Sequence, residues 1–86
     1  MKEIRFNALK SERLKRVRGV SFKEILSAEF ICSKRHPGKE AQRIMYFKHK
    51  GYIWLVPYVI DRDHIFLKTL YPSRKYTNMY RKGVFP

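Results

Sequence analysis

The chain has one cysteine, four glycines, four prolines and only seven acidic residues in 86, and each scarcity removes a class of protein. Cys32 alone cannot close an internal disulfide, which excludes a secreted scaffold held together by disulfides. Gly19, Gly38, Gly51 and Gly83 stand singly, so there is no Gly-rich loop to cradle a nucleotide phosphate. The longest apolar run, Tyr52 to Ile60, is about half of the ~18 residues that a membrane-spanning helix needs, and Pro57 interrupts it. Met1-Lys2-Glu3-Ile4-Arg5 is charged where a signal peptide would begin its apolar core, so the sequence reads as cytoplasmic with no membrane partner. Glu3, Glu12, Glu24, Glu29 and Glu40 are scattered, and Asp61 and Asp63 read as turn formers, which leaves no paired carboxylates for acid-base work. Cys32 and His36 have a metal-compatible spacing, yet only His49 and His64 remain to complete a set; neither metal nor cofactor is expected.

What is abundant is apolar surface and positive charge. The chain is 44% hydrophobic, with one Trp, six Tyr and six Phe, enough for residues 1–86 to close a single core as one domain. Twenty Lys and Arg against seven acids give a formal charge of +13. Such a chain repels itself and attracts polyanions: nucleic acid, an anionic surface or an acidic protein.

The pattern changes period once, from a helix-favouring first third to an alternating, aromatic remainder. Lys2 to Phe6 reads as a short strand, and Asn7 caps a helix over Ala8 to Arg18 that Gly19 stops. Leu9, Leu14 and Val17 give this helix only a weak apolar stripe. Ser21-Phe22-Lys23-Glu24 has the form of a capping box, with Val20 placed to staple against Ile25, for a second helix from about Phe22 to Ser27. Phe30-Ile31-Cys32 reads as a strand and Ser33 to Gln42 as a polar loop. Arg43 to His49, Tyr52 to Ile60 and Ile65 to Tyr71 read as three meandering strands, turning at Lys50-Gly51 and Asp61-Arg62-Asp63-His64. The middle strand is apolar on both faces, the mark of a strand covered on both sides, while Pro57 calls for a bulge or a splayed sheet. Beyond Pro72 the tail Ser73 to Lys82 is basic and aromatic, with room for a helical turn or two. The fold class is therefore α+β: a small antiparallel meander, two N-terminal helices packed on it and a short basic C-terminal tail or helix.

The cations fall in three groups. Lys10, Arg13, Lys15, Arg16 and Arg18 lie in the first helix, and Lys34, Arg35 and Lys39 in the loop. Lys68, Arg74, Lys75, Arg81 and Lys82 close the chain, interleaved with Tyr71, Tyr76 and Tyr80. Rings that stack on unpaired bases beside cations that hold phosphates suit single-stranded RNA. Lys15, Arg16, Lys34, Arg35, Lys75, Tyr80 and Arg81 are the expected RNA contacts; the competing reading is a solvated basic face with tyrosines at the core margin. Metal-free RNA cleavage needs only a proton carrier for the ribose 2′-hydroxyl and cations for the pentacoordinate phosphate. Lys68, a cation on an otherwise apolar strand, stands out for this; edge-strand protection explains it equally well.

Asn7-Ala8-Leu9-Lys10 opening a helix, Arg18-Gly19-Val20-Ser21-Phe22-Lys23-Glu24, a meander beginning with Arg43, and Pro72-Ser73-Arg74-Lys75 together resemble the BrnT family of bacterial toxins, from about Ile4 to Tyr80. The resemblance implies a RelE-like fold and a ribonuclease that inhibits translation by cutting mRNA, free or on the ribosome. It also implies a cognate antitoxin, usually encoded beside the toxin, with a DNA-binding domain that makes the complex an autorepressor. Matching positions nominate Arg18, Arg43 and Arg74 for the active surface, and Lys68 matches a strand Arg of the family. The chain departs from the pattern in two places. Val17-Arg18 stands where the family usually has Lys-His, so a residue that stays protonated replaces a proton carrier. Lys68 and Arg74 are also one residue further apart than usual.

Together these give a working expectation in which Arg43 and Arg74 hold the scissile phosphate, Lys68 or Tyr76 assists proton transfer and Arg18 helps from the helix end. Two other classes compete: a non-catalytic RNA- or ribosome-binding module, and a basic face that exists to be covered by an acidic antitoxin-like protein.

Overall fold

A strand that is apolar on both faces needs a layer against each, and that requirement organises this protein. The computed structural model describes residues 3–85; Lys2, the expected start of the first strand, lies outside them with Met1 and Pro86. The elements are β1 (Glu3–Arg5), α1 (Ala8–Arg18), α2 (Phe22–Leu26), β2 (Glu29–Arg35), β3 (Gln42–His49), β4 (Tyr52–Asp61), β5 (His64–Leu67), β6 (Tyr71–Ser73) and α3 (Arg74–Arg81). The fold is α+β, with one sheet of order β1-β5-β4-β3-β2 and β6 paired to β4.

Three expectations change. The sheet is mixed rather than antiparallel, because β1 runs parallel to β5 with Ile4 opposite Ile65; α1, α2 and the strands β2 to β4 all lie between the two in the chain, and alternation within a strand does not encode a pairing that distant. The helices are not confined to the N-terminal third, since α3 follows the sheet. Ser33-Lys34-Arg35 belongs to β2 and not to a loop, because β3 extends far enough to pair with it as far as Arg35↔Arg43.

α1 begins where Asn7 Oδ1 accepts the Lys10 N–H at 3.0 Å and ends at Gly19, whose φ of 81° suits a residue without Cβ. Of its apolar residues only Leu14 is buried; Leu9 and Val17 are 77% and 71% exposed. Polar ties make up for this. The Ser11 hydroxyl accepts the Phe22 N–H at 3.1 Å, and Lys15 Nζ lies 2.8 and 2.9 Å from the two carboxylate oxygens of Glu24. The capping box forms around the same glutamate, with the Ser21 N–H donating to Glu24 Oε1 at 3.0 Å and Ser21 Oγ accepting the Glu24 N–H at 3.2 Å.

The Lys15 hydrogen bond first, then the Ser21 N–H, lower the Glu24 pKa from 4.5 to about 2. A carboxylate depressed in the folded state contributes stability that is whole above pH 4.5 and is lost as pH falls through about 2. An NMR titration should therefore place the Glu24 midpoint near 2, and Glu24→Gln should lose stability at pH 6 yet converge on the wild type below that midpoint. A midpoint above 4 overturns the brace.

The two apolar faces of β4 define two cores. Trp54, Val56 and Tyr58 join Met45 and Phe47 of β3 against Leu14, Val20, Phe22 and Ile25 of the α1–α2 layer. Ile53 and Leu55 join Ile44 and Tyr46 on the opposite face, closed by Tyr71, Tyr76, Tyr80 and Phe85. β4 is thus a strand covered on both sides, as its composition requires.

Pro57 sits where β4 changes partner. β5 pairs with Tyr58 through Asp61, β6 pairs with Ile53 through Leu55, and Pro57 lies between the two segments. Its carbonyl accepts the Lys68 N–H at 2.8 Å on that side. The nitrogen of a strand residue faces the same side as its carbonyl, so the missing donor meets the gap between β5 and β6. The strand expected over Ile65 to Tyr71 is consequently two: β5 stops at Leu67, Lys68 to Leu70 form the link, and β6 starts at Tyr71. Lys68 is not a strand residue.

β6 in turn runs out at Ser73, opposite Ile53, and a side chain replaces the next strand residue. Thr77 Oγ1 accepts the Ile53 N–H at 2.8 Å and donates to the Ser73 carbonyl at 2.6 Å, fixing α3 to β4. Among the described residues no helix is long and apolar enough to cross a membrane.

Candidate nucleic-acid interface

Register brings Arg35 and Arg43 directly opposite each other across β2 and β3. Like charges so placed repel, and neither arginine enters an ion pair among the described residues. Arg43 is held by a network within the sheet: its Nε–H donates to the Tyr58 phenol oxygen at 3.2 Å, and that hydroxyl lies 2.7 Å from Ser33 Oγ. Tyr58 is 6% exposed, so the guanidinium is anchored from beneath while its two Nη nitrogens remain for a ligand.

Around this pair opens a basin of about 650 Å³, lined by Arg35, His36, Lys39, Glu40, Arg43 and Ile60 among others. Three permanent cations face one carboxylate there. His36 Nδ1 accepts the Gly38 N–H at 3.0 Å, which places the proton of the neutral imidazole on Nε2. Ser33, Tyr58 and His36 had no place in the expected site. Register through Arg43 is the signal that finds the first two, and it depends on knowing which strands pair.

The other expected residues are dispersed. Lys68 is exposed in the β5–β6 link, with Nζ 5.8 Å from the Phe66 ring centroid, beside a second cationic hollow that Lys10 and Arg13 also line. Arg18 donates from Nη1 to the Leu70 carbonyl, tying the end of α1 to that link. Arg74 is the first residue of α3, followed by Lys75, with no acid in the first turn. Two cations at the positive end of a helix dipole add to the local positive field.

Tyr76 and Tyr80 are half-buried, and their rings are already engaged. Tyr76 meets Tyr46 edge-on at 5.2 Å between centroids and Phe85 at 5.7 Å, and Tyr80 meets Phe85 at 6.1 Å. Burial, with the Tyr76 phenol second, pushes the Tyr46 phenol well above its ordinary value. Arg43 faces the α1–α2 side while Tyr76 packs on the α3 side, so the sheet separates them.

Of the expected RNA contacts, Arg35 lines the basin and Arg16 is exposed on α1. Lys15 is engaged by Glu24, and Arg81 donates to the Gly51 carbonyl at 3.3 Å. Lys34 and Lys75 lie over rings of the α3-side cluster, 5.3 Å from the Phe85 centroid and 5.5 Å from that of Tyr76. Cys32 packs near that cluster, and no group of three or more His, Cys, Asp or Glu among the described residues is placed to hold a metal.

The arrangement can hold a phosphate on two arginines, one of them immobilised, with an imidazole at the rim. No protein-family model, curated protein or solved structure matches the chain.

Proposed function

We propose that this protein is a BrnT-like toxin, a metal-independent ribonuclease that blocks translation and growth until an acidic antitoxin covers it. The observation that carries the reading is the unpaired Arg35–Arg43 couple in the basin, since an RNA phosphate is what two opposed guanidinium groups lack. The path from β1 through α1 and α2 into β2, β3 and β4 supports the RelE-like arrangement that the sequence resemblance implies, and the charge of +13 supports a polyanionic partner.

In this reading the 2′-oxygen attacks the adjacent phosphorus, its proton leaves to a base, and the 5′-oxygen departs with a proton. Arg43 and Arg35 neutralise the phosphorane oxygens as charge builds. His36 is the proton carrier of the basin, whereas Tyr76 is on the far face.

Induced expression in a bacterial host, with growth and RNA ends followed by primer extension, tests this. The wild type should arrest growth and generate new ends, and Arg43→Ala should abolish both. Arg74→Ala separates the two placements of the centre: cleavage lost with Arg74→Ala but kept with Arg43→Ala moves it to the α3 side. Intact RNA and normal growth with the wild type removes the ribonuclease reading.

The dispersal of Lys68 and Tyr76 away from Arg43 favours a second reading, a binding module without catalysis. Its signature is strongly salt-dependent RNA affinity with no new ends.

A further inference from the structure

About 20 Å from the basin, at the other end of β3 by a rise of ~3.3 Å per residue, a further cavity opens on the same face of the sheet. It measures about 440 Å³ and lies between the C-terminal end of α1 and the β3–β4 turn, walled by Arg18, His49, Lys50, Tyr52, Trp54 and Pro72. That volume falls in the ~300–1,000 Å³ range of small-molecule sites.

Its walls are of two kinds. Tyr52, Trp54 and Pro72 offer flat apolar surface, with the His49 ring edge-on to Trp54 at 6.3 Å between centroids. Arg18 and Lys50 bring permanent positive charge, and no carboxylate lines the cavity. Arg18 is oriented by its bond to the Leu70 carbonyl, which occupies Nη1. One observation is independent of the lining: Trp54 is 8% exposed, and its Nε1–H is buried with no acceptor among the described residues. A buried donor without a partner calls for an explanation.

A lipid chain or apolar peptide would gain nothing from the two cations, and a bare phosphate nothing from the aromatic wall. We infer that this cleft is a base pocket for one unpaired ribonucleotide, its base against Tyr52, Trp54 and Pro72 and its phosphate on Arg18 and Lys50. Base carbonyl and ring-nitrogen atoms are acceptors of the kind that the enclosed indole N–H lacks. Stacking plus a cationic rim is the general solution for unpaired bases. The inference deepens the RNA reading and rests on it: the basin holds a phosphate and the cleft reads a base a few nucleotides away.

The chain has one tryptophan, so Trp54 emission reports the cleft directly. The full chain is titrated with AMP, GMP, CMP, UMP and ribose 5-phosphate. Saturable quenching by at least one nucleotide is expected, with ribose 5-phosphate at least tenfold weaker. Arg18→Gln, with its fold checked by far-UV circular dichroism, should weaken nucleotide binding about tenfold, the loss of one charged hydrogen bond. Trp54→Phe, followed by calorimetry, should weaken it severalfold while keeping an aromatic wall.

Equal affinity for ribose 5-phosphate overturns the base pocket, as does silence of Trp54 toward every nucleotide at millimolar concentration. Stronger competition by the peptide Asp-Asp-Phe-Asp-Asp overturns it in favour of a protein side chain. Anisotropy of a labelled 12-nucleotide single-stranded RNA, run on the same samples, separates the two levels. RNA binding with Trp54 unmoved overturns the cleft and leaves the RNA reading, whereas nucleotide quenching without RNA binding supports the cleft and overturns RNA as the polymer.

Discussion

Phe22→Ala is expected to leave the protein largely unfolded at 37 °C. Phe22 is fully buried, belongs to the core between α2 and the sheet, and meets the Phe6 ring at 5.2 Å between centroids. Removing a buried Phe side chain costs about 3–5 kcal/mol once the residual cavity is included. A chain of this length has a total stability of only ~4–13 kcal/mol, and self-repulsion from the net positive charge draws it toward the lower end. The melting temperature should fall by about 15 °C or more, as read by circular dichroism, with the urea midpoint falling in step. Phe22→Leu, which fills most of the space, should fall far less. A drop below about 5 °C for the alanine variant contradicts the position of Phe22 at the base of the core.

The second large effect concerns a single hydroxyl. Thr77→Val keeps the shape and removes both hydrogen bonds, stranding the Ile53 N–H where Thr77 is 2% exposed. The penalty for a buried donor left unpaired is about 1–3 kcal/mol. Thr77→Ser, which loses a methyl group but keeps both bonds, should be the milder variant although it packs worse. Hydrogen exchange gives the sharper reading: the Ile53 amide should be protected in the wild type and in Thr77→Ser, and exposed in Thr77→Val. The reverse order means that methyl packing, and not the hydroxyl, holds α3 to β4.

Local signals were legible wherever the determinant was local. Asn7 and Gly19 bound α1 at the residues expected of a cap and a left-handed stop, and Ser21 with Glu24 form the capping box their spacing announces. The turn at Lys50-Gly51 is marked by positive φ at both residues, 52° and 79°. What escaped depends on partners distant in sequence. The break after Leu67 arises because β4 exchanges β5 for β6 at Pro57, although the proline did mark the spot. The parallel pairing of β1 with β5 leaves no trace in alternation.

The candidate site shows the same division. Charge and aromatic content pointed to a polyanion, but the tail tyrosines that read as stacking platforms are four residues apart on α3 and line one face of it against Tyr46 and Phe85. That spacing was the available clue. Arg43 was nominated by the resemblance; its anchoring through Tyr58 and Ser33, and its confrontation with Arg35, come from register alone.

A central strand with no solvent side has a consequence for how a long ligand is met. With helices over the middle of both faces, the broad planes of the sheet are spent on cohesion, and recognition is pushed to the perimeter. The basin and the Trp54 cleft lie at opposite termini of the β3–β4 ribbon. On the proposed function, a flexible strand of nucleic acid would be draped around the margin and gripped at separated points, a geometry that favours a chain able to bend at every linkage.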